Sequence, residues 1–428
     1  MDRNEIQRGN PENHGCVSTN GANRVGVERC PDSVGYRTPL EAMAEGVHEK
    51  MLWLPCSVPQ KDRPDYLATV CVDQDSPDYC KVVHRLEMPY CGDSLHHMNW
   101  NTCSSCYGNP SKRRDKLVMP ALDSDRVYVV DLAHNPRKPV LFKVIEPGEL
   151  HREGLSAPHT PHCLASGEVL ISTMGDENEN AKGSFLLLEE RTFNVRGTWQ
   201  PQLDVSDYGY GFWYQPRHNV MVSSQWGAPS AFRKGFHMTD VEQGLYGTSL
   251  VVWDWTYRRK LQTIDLGPEG AMPLEVRFLH NPDAAEGFVG CALGSTIYRF
   301  FKTKVFTGGS IYKNGPVKVL HDEELKGQPS RCTIQGKPVR GAAQMLQLSL
   351  DGKRLYASTT LYGPWDKQFY PEMWEQGGMV IRMNVDTVKG GLSIDQSFLV
   401  DFGEEPDGPS LGHEIRLPGG DSTSDIWI

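Results

Sequence analysis

A segment of twelve residues brings together two kinds of side chain that bind transition metals. It contains two adjacent histidines, His96 and His97, followed by a C-x-x-C pair formed by Cys103 and Cys106. Because imidazole and thiolate groups hold zinc and copper in proteins, the segment indicates a metal or redox site. Two alternatives stay open. Either the histidines lie on a solvated loop while the thiols only pack, or the two cysteines join Cys91 and one of the histidines in a local zinc site.

The sequence around these residues is dominated by signals for short strands. Glycine and proline are abundant, with 42 and 29 residues, and long runs rich in Ala, Glu, Lys and Leu are missing, which is typical of many strands joined by turns. One phrase recurs: a short apolar run that ends in an acid, a polar turn and a second run, which predicts a β-hairpin. Five such hairpins are predicted, at residues 66–73 and 80–84, 126–131 and 140–144, 184–189 and 195–199, 249–254 and 261–265, and 379–386 and 397–401.

A second strand pair precedes most of these hairpins, so the repeating unit has four strands. Such a unit, recurring at roughly 45–65 residues, indicates a β-propeller. A β-sandwich would need fewer strands, and a TIM barrel would need helices between them. We therefore predict an all-β fold, with a disordered tail at residues 1–34 and a propeller over residues 35–428.

The propeller predicts where the remaining histidines lie. The innermost strand of each blade faces a central channel, so histidines at matching points of several blades should converge on one place. The histidines that begin, follow or flank such strands are His159, His162, His218, His280 and His413.

Charge and hydropathy argue against several classes of function. A net charge of -10 disfavours nucleic-acid binding, because phosphate recognition needs a positive surface. No apolar run is long enough to span a bilayer, and residues 1–29 lack the apolar core of a signal peptide. Eleven cysteines without an export signal should be mostly reduced thiols. We expect a cytosolic protein.

Several long phrases of the sequence resemble the selenium-binding protein family, which is also called the methanethiol oxidase family. One is Trp-Asn-Thr-Cys-Ser-Ser-Cys at positions 100–106, and another is Phe-Trp-Tyr-Gln-Pro-Arg-His-Asn-Val-Met at positions 212–221. The others lie at positions 36–43, 64–70, 162–168, 278–285 and 424–428. Together they are spread over nearly everything from Gly35 to Ile428, and chance cannot supply so many matches.

The resemblance implies a seven-bladed propeller and an oxidoreductase. The implied reaction oxidises methanethiol with O2 and water to formaldehyde, hydrogen sulfide and hydrogen peroxide. Copper is the implied metal, and it suits this chemistry because it binds both imidazole and thiolate. Histidines are the implied ligands, and those that match family motifs are His96, His97, His159, His162, His218, His280 and His413. For each of them the alternative is a channel-lining histidine that only bonds a carbonyl.

The resemblance also implies a selenium site and several locations. The cysteine that the family associates with selenium matches Cys56, for which the alternative is a small buried apolar residue. Cytosolic, nuclear and peripheral-membrane locations are implied, together with a role in protein transport within the Golgi. The second functional interpretation is therefore a non-catalytic propeller that carries selenium at Cys56 or docks partners.

The sequence departs from the family pattern at two places. Residues 29–34 hold one cysteine, Cys30, where the family has a pair. After Lys302 the family has another strand-rich stretch with a histidine, whereas here residues 303–307 lead directly to Gly-Gly-Ser-Ile at positions 308–311. About one repeat is therefore expected to be absent. A propeller without it must close with fewer blades or leave open sheet edges, which favour aggregation.

Overall fold

The computed structural model of the chain is built almost entirely from antiparallel strands. It describes residue 44 and residues 48–102, 113–201, 204–278, 287–293, 296–298, 309–318, 327–349, 351–386 and 391–417. The predicted boundary between residues 34 and 35 lies outside these ranges.

Five four-stranded sheets form blades of a propeller. Blade 1 consists of β1 (Met51–Ser57), β2 (Pro64–Cys71), β3 (Val82–Cys91) and the late strand β25 (Leu411–Gly412). Blade 2 consists of β4 (Asn99–Trp100), β5 (Lys116–Pro120), β6 (Val127–Asp131) and β7 (Val140–Ile145). Blade 3 consists of β8 (Ser156–Leu164), β9 (Glu168–Gly175), β10 (Ala181–Glu189) and β11 (Val195–Thr198). Blade 4 consists of β12 (Phe212–Gln215), β13 (Val220–Ser224), β14 (Ser249–Asp254) and β15 (Arg259–Asp265).

The chain between blade 4 and the last blade forms smaller sheets. A three-stranded sheet contains β16 (Pro273–Phe278), β17 (Gly287–Cys291) and β18 (Thr296–Tyr298), and a short hairpin contains β19 (Thr333–Ile334) and β20 (Lys337–Pro338). Blade 5 then consists of β21 (Leu346–Leu348), β22 (Arg354–Ser358), β23 (Met379–Val385) and β24 (Leu392–Asp401). The departure after Lys302 therefore falls between the three-stranded sheet and blade 5, next to residues 299–308, which lie outside the described ranges.

Helices are short in the described part of the chain. The α-helical segments are Pro147–His151, Pro229–Phe232, Met238–Glu242, Gly363–Phe369 and Pro371–Gln376, and the 3-10 turns are Pro216–His218, Pro268–Gly270 and Phe402–Glu404. Within the same residues, no helix has both the length and the apolar character that crossing a membrane requires.

The five predicted hairpins are the outer strand pairs of the five blades, and the prediction of an all-β propeller is confirmed. They are β2–β3, β6–β7, β10–β11, β14–β15 and β23–β24, each an antiparallel pair. The acid at the end of the first run helps to end the strand. Asp131 Oδ1 accepts a hydrogen bond from the backbone N–H of Ala133, and Asp254 Oδ1 accepts one from Tyr257. Such local bonds are how aspartates favour turns.

Apolar side chains fill the space between neighbouring blades. Phe185 of blade 3 contacts Phe212 and Trp253 of blade 4 edge-to-face, with ring centroids 5.3 and 5.4 Å apart. Edge-to-face contacts are the favoured geometry of packed aromatic rings. The core is therefore divided among the faces of adjacent sheets, which leaves the inner strands free to carry polar groups.

The ring is closed by a strand from the C-terminal part of the chain. In blade 1, β25 pairs antiparallel with β1, so that Cys56 lies opposite Gly412. Further along, Trp53 and Arg416 exchange two backbone hydrogen bonds of 3.2 Å. This closure places the residues that follow β25 beside the first blade, although more than 300 residues separate them in the sequence.

Candidate metal centre

His96 and His97 lie in the connection between blade 1 and blade 2, and the backbone just before them is fixed. Leu95 forms an isolated bridge with Ala121, and its N–H donates to Asp65 Oδ2 at 2.8 Å. Ser57 Oγ donates to the Leu95 carbonyl at 2.9 Å. Both histidines are buried, with 4% and 1% of their surface exposed. The structure therefore excludes the alternative in which this pair lies on a solvated loop.

Two further histidines reach the same place from other blades. His159 lies on β8, the strand at the edge of blade 3. Between Pro158 and Pro161, β8 contains one residue more than the segment of β9 with which it pairs. This extra residue is a β-bulge, which re-aims the side chains beside it. His413 directly follows β25 and is buried, and its Nδ1 lies 2.5 Å from the Thr360 carbonyl oxygen.

These four residues, His96, His97, His159 and His413, form what we call the histidine cluster. The ring of His96 stacks on that of His413 at 4.0 Å, and the rings of His97 and His159 are also 4.0 Å apart. One ligand atom from each of His96, His97 and His159 lies within 4.8 Å of the others.

The Nε2 atoms of His97, His159 and His413 are buried without a hydrogen-bond partner among the described residues. Since buried polar atoms are nearly always paired, unpartnered nitrogens on neighbouring rings fit a metal ion.

Burial and the neighbouring rings keep three rings of the histidine cluster neutral, those of His96, His159 and His413. Burial lowers the pKa of His96 and of His159 well below its usual range, and repulsion by the neighbouring histidines adds to the effect. Burial likewise lowers the pKa of His413 to about 4, with a contribution from His97. A metal needs the neutral imidazole, so these rings are competent ligands at neutral pH without losing a proton.

Two carboxylates border the cluster. Glu414 Oε2 lies 2.5 Å from His97 Nδ1, and Glu275 Oε1 lies 3.5 Å from His97 Nε2. Burial alone would raise the pKa of Glu414, but Arg416, His97 and His413 together hold it below its ordinary value. Arg416 Nη1 donates to Glu414 Oε1 at 2.7 Å. Glu414 is therefore an ionised carboxylate that accepts from Arg416 and lies in contact with the His97 ring.

Sequence reasoning missed both carboxylates. The acid directly after His413 was a usable signal for Glu414, whereas nothing local marks Glu275, which lies on β16 far from His97 in the chain.

Tyrosines and a small cavity complete the surroundings. The ring of Tyr210 lies 3.9 Å from that of His159, and Tyr362 lies edge-on to His96 at 6.2 Å. A small cavity beside the cluster has room for about one water molecule and opens to solvent. Its lining includes His96, His413, Tyr362 and Asp366, with Ser57, Ser94 and Thr360 and the apolar Leu95, Leu361 and Leu411. The cavity therefore gives a small molecule a path to two of the histidines.

The other predicted ligands lie elsewhere or outside the described ranges. His162 is buried in blade 3, where its Nδ1 lies 3.3 Å from Asn99 Nδ2 and its ring contacts those of Phe212 and Trp213 at 5.4 and 4.8 Å. His218 ends an exposed turn between β12 and β13. His280, Cys103 and Cys106 are outside the described residues. Cys91, considered for a local zinc site, is exposed at the end of β3.

Cys56 is a buried residue of β1 in this structure. It packs in an apolar cluster with residues of β2 and blade 5, and its Sγ lies 3.6 Å from the Leu54 carbonyl oxygen. Burial, together with the negative charges of Glu405 and Asp65, raises the pKa of this thiol well above its usual value. The reactive thiolate is therefore disfavoured in this conformation.

Comparisons with known proteins agree with this architecture. Residues 30–305 and 302–428 match the family described as 56kDa selenium binding protein (SBP56). The solved structure of a hypothetical selenium-binding protein from Sulfolobus tokodaii superposes with a TM-score of 0.78 at 30% sequence identity, over 93% of this chain and 99% of that one.

Curated relatives are similar over nearly their whole length. The methanethiol oxidases of Homo sapiens and Xenopus laevis are 50% and 48% identical to this chain, over 92% of it and 98% of each of them. The alignment spans 464 positions. This chain fills about 394 of them, which is 92% of its 428 residues, so about 70 positions hold no residue of this chain. The two family matches meet at residues 302–305. The prediction of a missing repeat after Lys302 is confirmed by this shortening.

Proposed function

We propose that this chain, which belongs to the 56kDa selenium binding protein family, oxidises methanethiol with O2 and water to formaldehyde, hydrogen sulfide and hydrogen peroxide. Relatives named methanethiol oxidase match it over 98% of their length. The observation that carries the proposal is the histidine cluster, in which buried rings lie against one another and three Nε2 atoms have no hydrogen-bond partner among the described residues.

The residues of the cluster fit copper as the metal. His96, His97 and His159 would hold it, with His413 as a further ligand, because copper favours imidazole nitrogen. When bound, copper would supply a centre that binds a thiolate and exchanges single electrons with it and with O2.

Polar neighbours contact two of the four histidines, His97 and His413. A neutral imidazole carries its proton on one nitrogen and a lone pair on the other. The Thr360 carbonyl beside Nδ1 of His413 places the proton of this ring on that atom. The lone pair of His413 is thereby left on Nε2, which has no hydrogen-bond partner among the described residues. Glu414 lies beside Nδ1 of His97.

The cavity beside the cluster suits a very small, partly apolar substrate. Leu95, Leu361 and Leu411 offer contacts for a methyl group, while His96 and His413 lie at the same cavity for the sulfur. Burial disfavours an isolated thiolate, so the thiol would lose its proton only next to a cation. Larger thiols should therefore be poor substrates.

The proposal is tested by supplying the purified, copper-loaded chain with methanethiol and O2 and measuring all three products. We expect formaldehyde, hydrogen sulfide and hydrogen peroxide in equal amounts, and none of them from the metal-free chain. A folded chain that contains copper but forms no product would contradict the proposal, and so would equal activity without copper.

The family also supports a second proposal, selenium attachment at Cys56. Because this thiol is buried, we expect slow labelling by selenite that speeds up when the fold is loosened with mild denaturant. Cys56→Ser should abolish the label, while Cys71→Ser, at a buried cysteine of the neighbouring strand, should keep it. Undiminished labelling of Cys56→Ser would exclude Cys56 as the site. Cytosolic, nuclear and peripheral-membrane locations and a role in protein transport stay predictions from the family.

A further inference from the structure

The proposed reaction transfers electrons in pairs, so the site must pass two electrons from methanethiol to O2 in each turnover. Methanethiol loses two electrons and two protons to become thioformaldehyde, which water converts to formaldehyde and hydrogen sulfide. O2 gains two electrons and two protons to become hydrogen peroxide. Copper changes its charge by one electron at a time. If the proposed function holds, on which this inference rests, a group of the protein must hold the second electron.

Tyr362 is a side chain of suitable chemistry at the cluster. Phenol groups can lose one electron, provided that a base takes the hydroxyl proton. The Tyr362 ring lies 6.2 Å from the ring of His96, and both residues line the same cavity. Tyr362 is only 4% exposed, so bulk water does not surround its hydroxyl. Any oxidant at the cluster would meet this ring at short range.

Asp123 is placed to take the proton of Tyr362. The Tyr362 hydroxyl donates directly to Asp123 Oδ1, so the carboxylate is within hydrogen-bond reach of the proton that it would take. The other carboxylate oxygen, Oδ2, accepts from Ser94 Oγ and, at 2.7 Å, from Lys61 Nζ. The side chain of Lys61 is 45% exposed. The four groups form a continuous path from the buried phenol to solvent.

We propose that Tyr362 is a redox-active residue that stores one of the two electrons as a tyrosyl radical. In its oxidation, Tyr362 would give one electron to O2 held at the histidine cluster, and the hydroxyl proton would pass to the Asp123 carboxylate. The metal, when bound in its reduced form, would supply the other electron for O2. In the return step, methanethiol would give one electron to the radical and one to the metal, and Asp123 would give the proton back to Tyr362. The two protons that methanethiol releases are equal in number to those that hydrogen peroxide takes up, so each turnover balances.

The chain contains a matched control for this pair. Tyr128 is also buried, and its hydroxyl donates to a carboxylate, Asp93 Oδ2, at 2.6 Å. Among the described residues, however, its ring makes no contact with a ring of the histidine cluster, whereas that of Tyr362 does. Tyr210 is the second control, because it touches His159 at 3.9 Å.

The experiment uses the copper-loaded chain, reduced with methanethiol, mixed with O2 and frozen within milliseconds. Electron paramagnetic resonance should show an organic radical whose pattern changes when the tyrosines carry ring deuterium. Tyr362→Phe should keep its copper and lose the radical, while Tyr128→Phe and Tyr210→Phe keep both. Asp123→Asn preserves the shape but not the proton acceptor, so turnover should fall on the order of a hundredfold.

Copper content and product formation, measured in the same samples, separate the two proposals. Copper and products without a radical, or a radical that survives in Tyr362→Phe, would overturn the role of Tyr362 and leave the oxidase proposal intact. A chain that binds no copper, or forms no product with copper bound, would overturn the oxidase proposal and with it the need for a second electron carrier.

Discussion

His159 and His162 lie three residues apart on β8, and the structure gives them different surroundings. His159 faces the rings of His97 and Tyr210 and has an unpartnered Nε2 atom. His162 lies between Asn99 and the rings of Phe212 and Trp213 in the space between blades. Both are 1% exposed, so burial does not distinguish them.

The contrast shows that the neighbours of a buried histidine decide its chemistry. The ring of His162 meets an amide and aromatic edges, which is the environment of a structural core residue. The ring of His159 meets other imidazoles, which repel its protonated form and leave a lone pair without a partner. Only the second environment favours a metal ion.

The largest effect should come from removing one ring of the histidine cluster. His159→Ala deletes a ligand atom from the set that lies within 4.8 Å. We expect most of the copper to be lost and methanethiol consumption to fall by at least about 100-fold, since losing a direct ligand should cost at least as much as losing an outer-shell partner. Elemental analysis and hydrogen sulfide release measure both quantities. Full copper content in this variant would remove His159 from the site.

Acid should dissociate the metal only at low pH. The rings of His96 and His159 have strongly lowered pKa values and that of His413 is about 4, so protons compete poorly with copper until the pH approaches these values. We expect copper to be retained during dialysis at pH 5.5 and released near pH 4. Release of copper already near pH 6.5, the usual pKa of histidine, would mean that the rings are less buried than they are in the structure.

A smaller effect is expected from the carboxylate behind His97. Glu414→Gln keeps the size of the side chain but removes the charge next to Nδ1, so copper should bind about 10 to 100 times more weakly. Competition with a copper chelator measures this change. Glu405→Gln is the control, since the Glu405 side chain is also little exposed, at 6%, but pairs with Arg85 and Tyr66. Equal weakening in both variants would mean that the effect is on the fold.

The smallest effect on copper should come from His162. His162→Ala removes a buried ring and leaves Asn99 with a lost contact, so the free energy of unfolding should fall by about 2–4 kcal/mol. Copper content should not change. Urea unfolding and elemental analysis of the same preparation test both statements. Copper loss from a still-folded His162→Ala chain would erase the distinction between the two histidines.

Local sequence patterns were sufficient to predict the blades. Alternating apolar runs that end in Asp131 or Asp254 specify a strand and its turn within a few residues. The prediction that histidines of inner strands converge also rests on a regular rule, the radial arrangement of blades. Of the five histidines to which this rule applies, His159 and His413 lie in the histidine cluster. His162 and His218 lie elsewhere, and His280 is outside the described residues.

Long-range contacts explain what the sequence did not reveal. The bulge in β8 depends on pairing with β9, so spacing alone could not separate His159 from His162. Glu275 lies close to His97 only in the folded protein, because the strands of blades 2 to 4 separate the two residues along the chain. Cys56 is buried because it packs against residues of blade 5, from the other end of the chain. These contacts are properties of the closed ring, and no segment encodes them by itself.

The most direct test of the account is a crystal structure of the copper-loaded chain with diffraction data collected on both sides of the copper absorption edge. The account predicts one strong anomalous peak among the ring nitrogens of His96, His97 and His159, within reach of His413. A peak at His162 or at His218, or a loaded crystal with no peak in the histidine cluster, would contradict it.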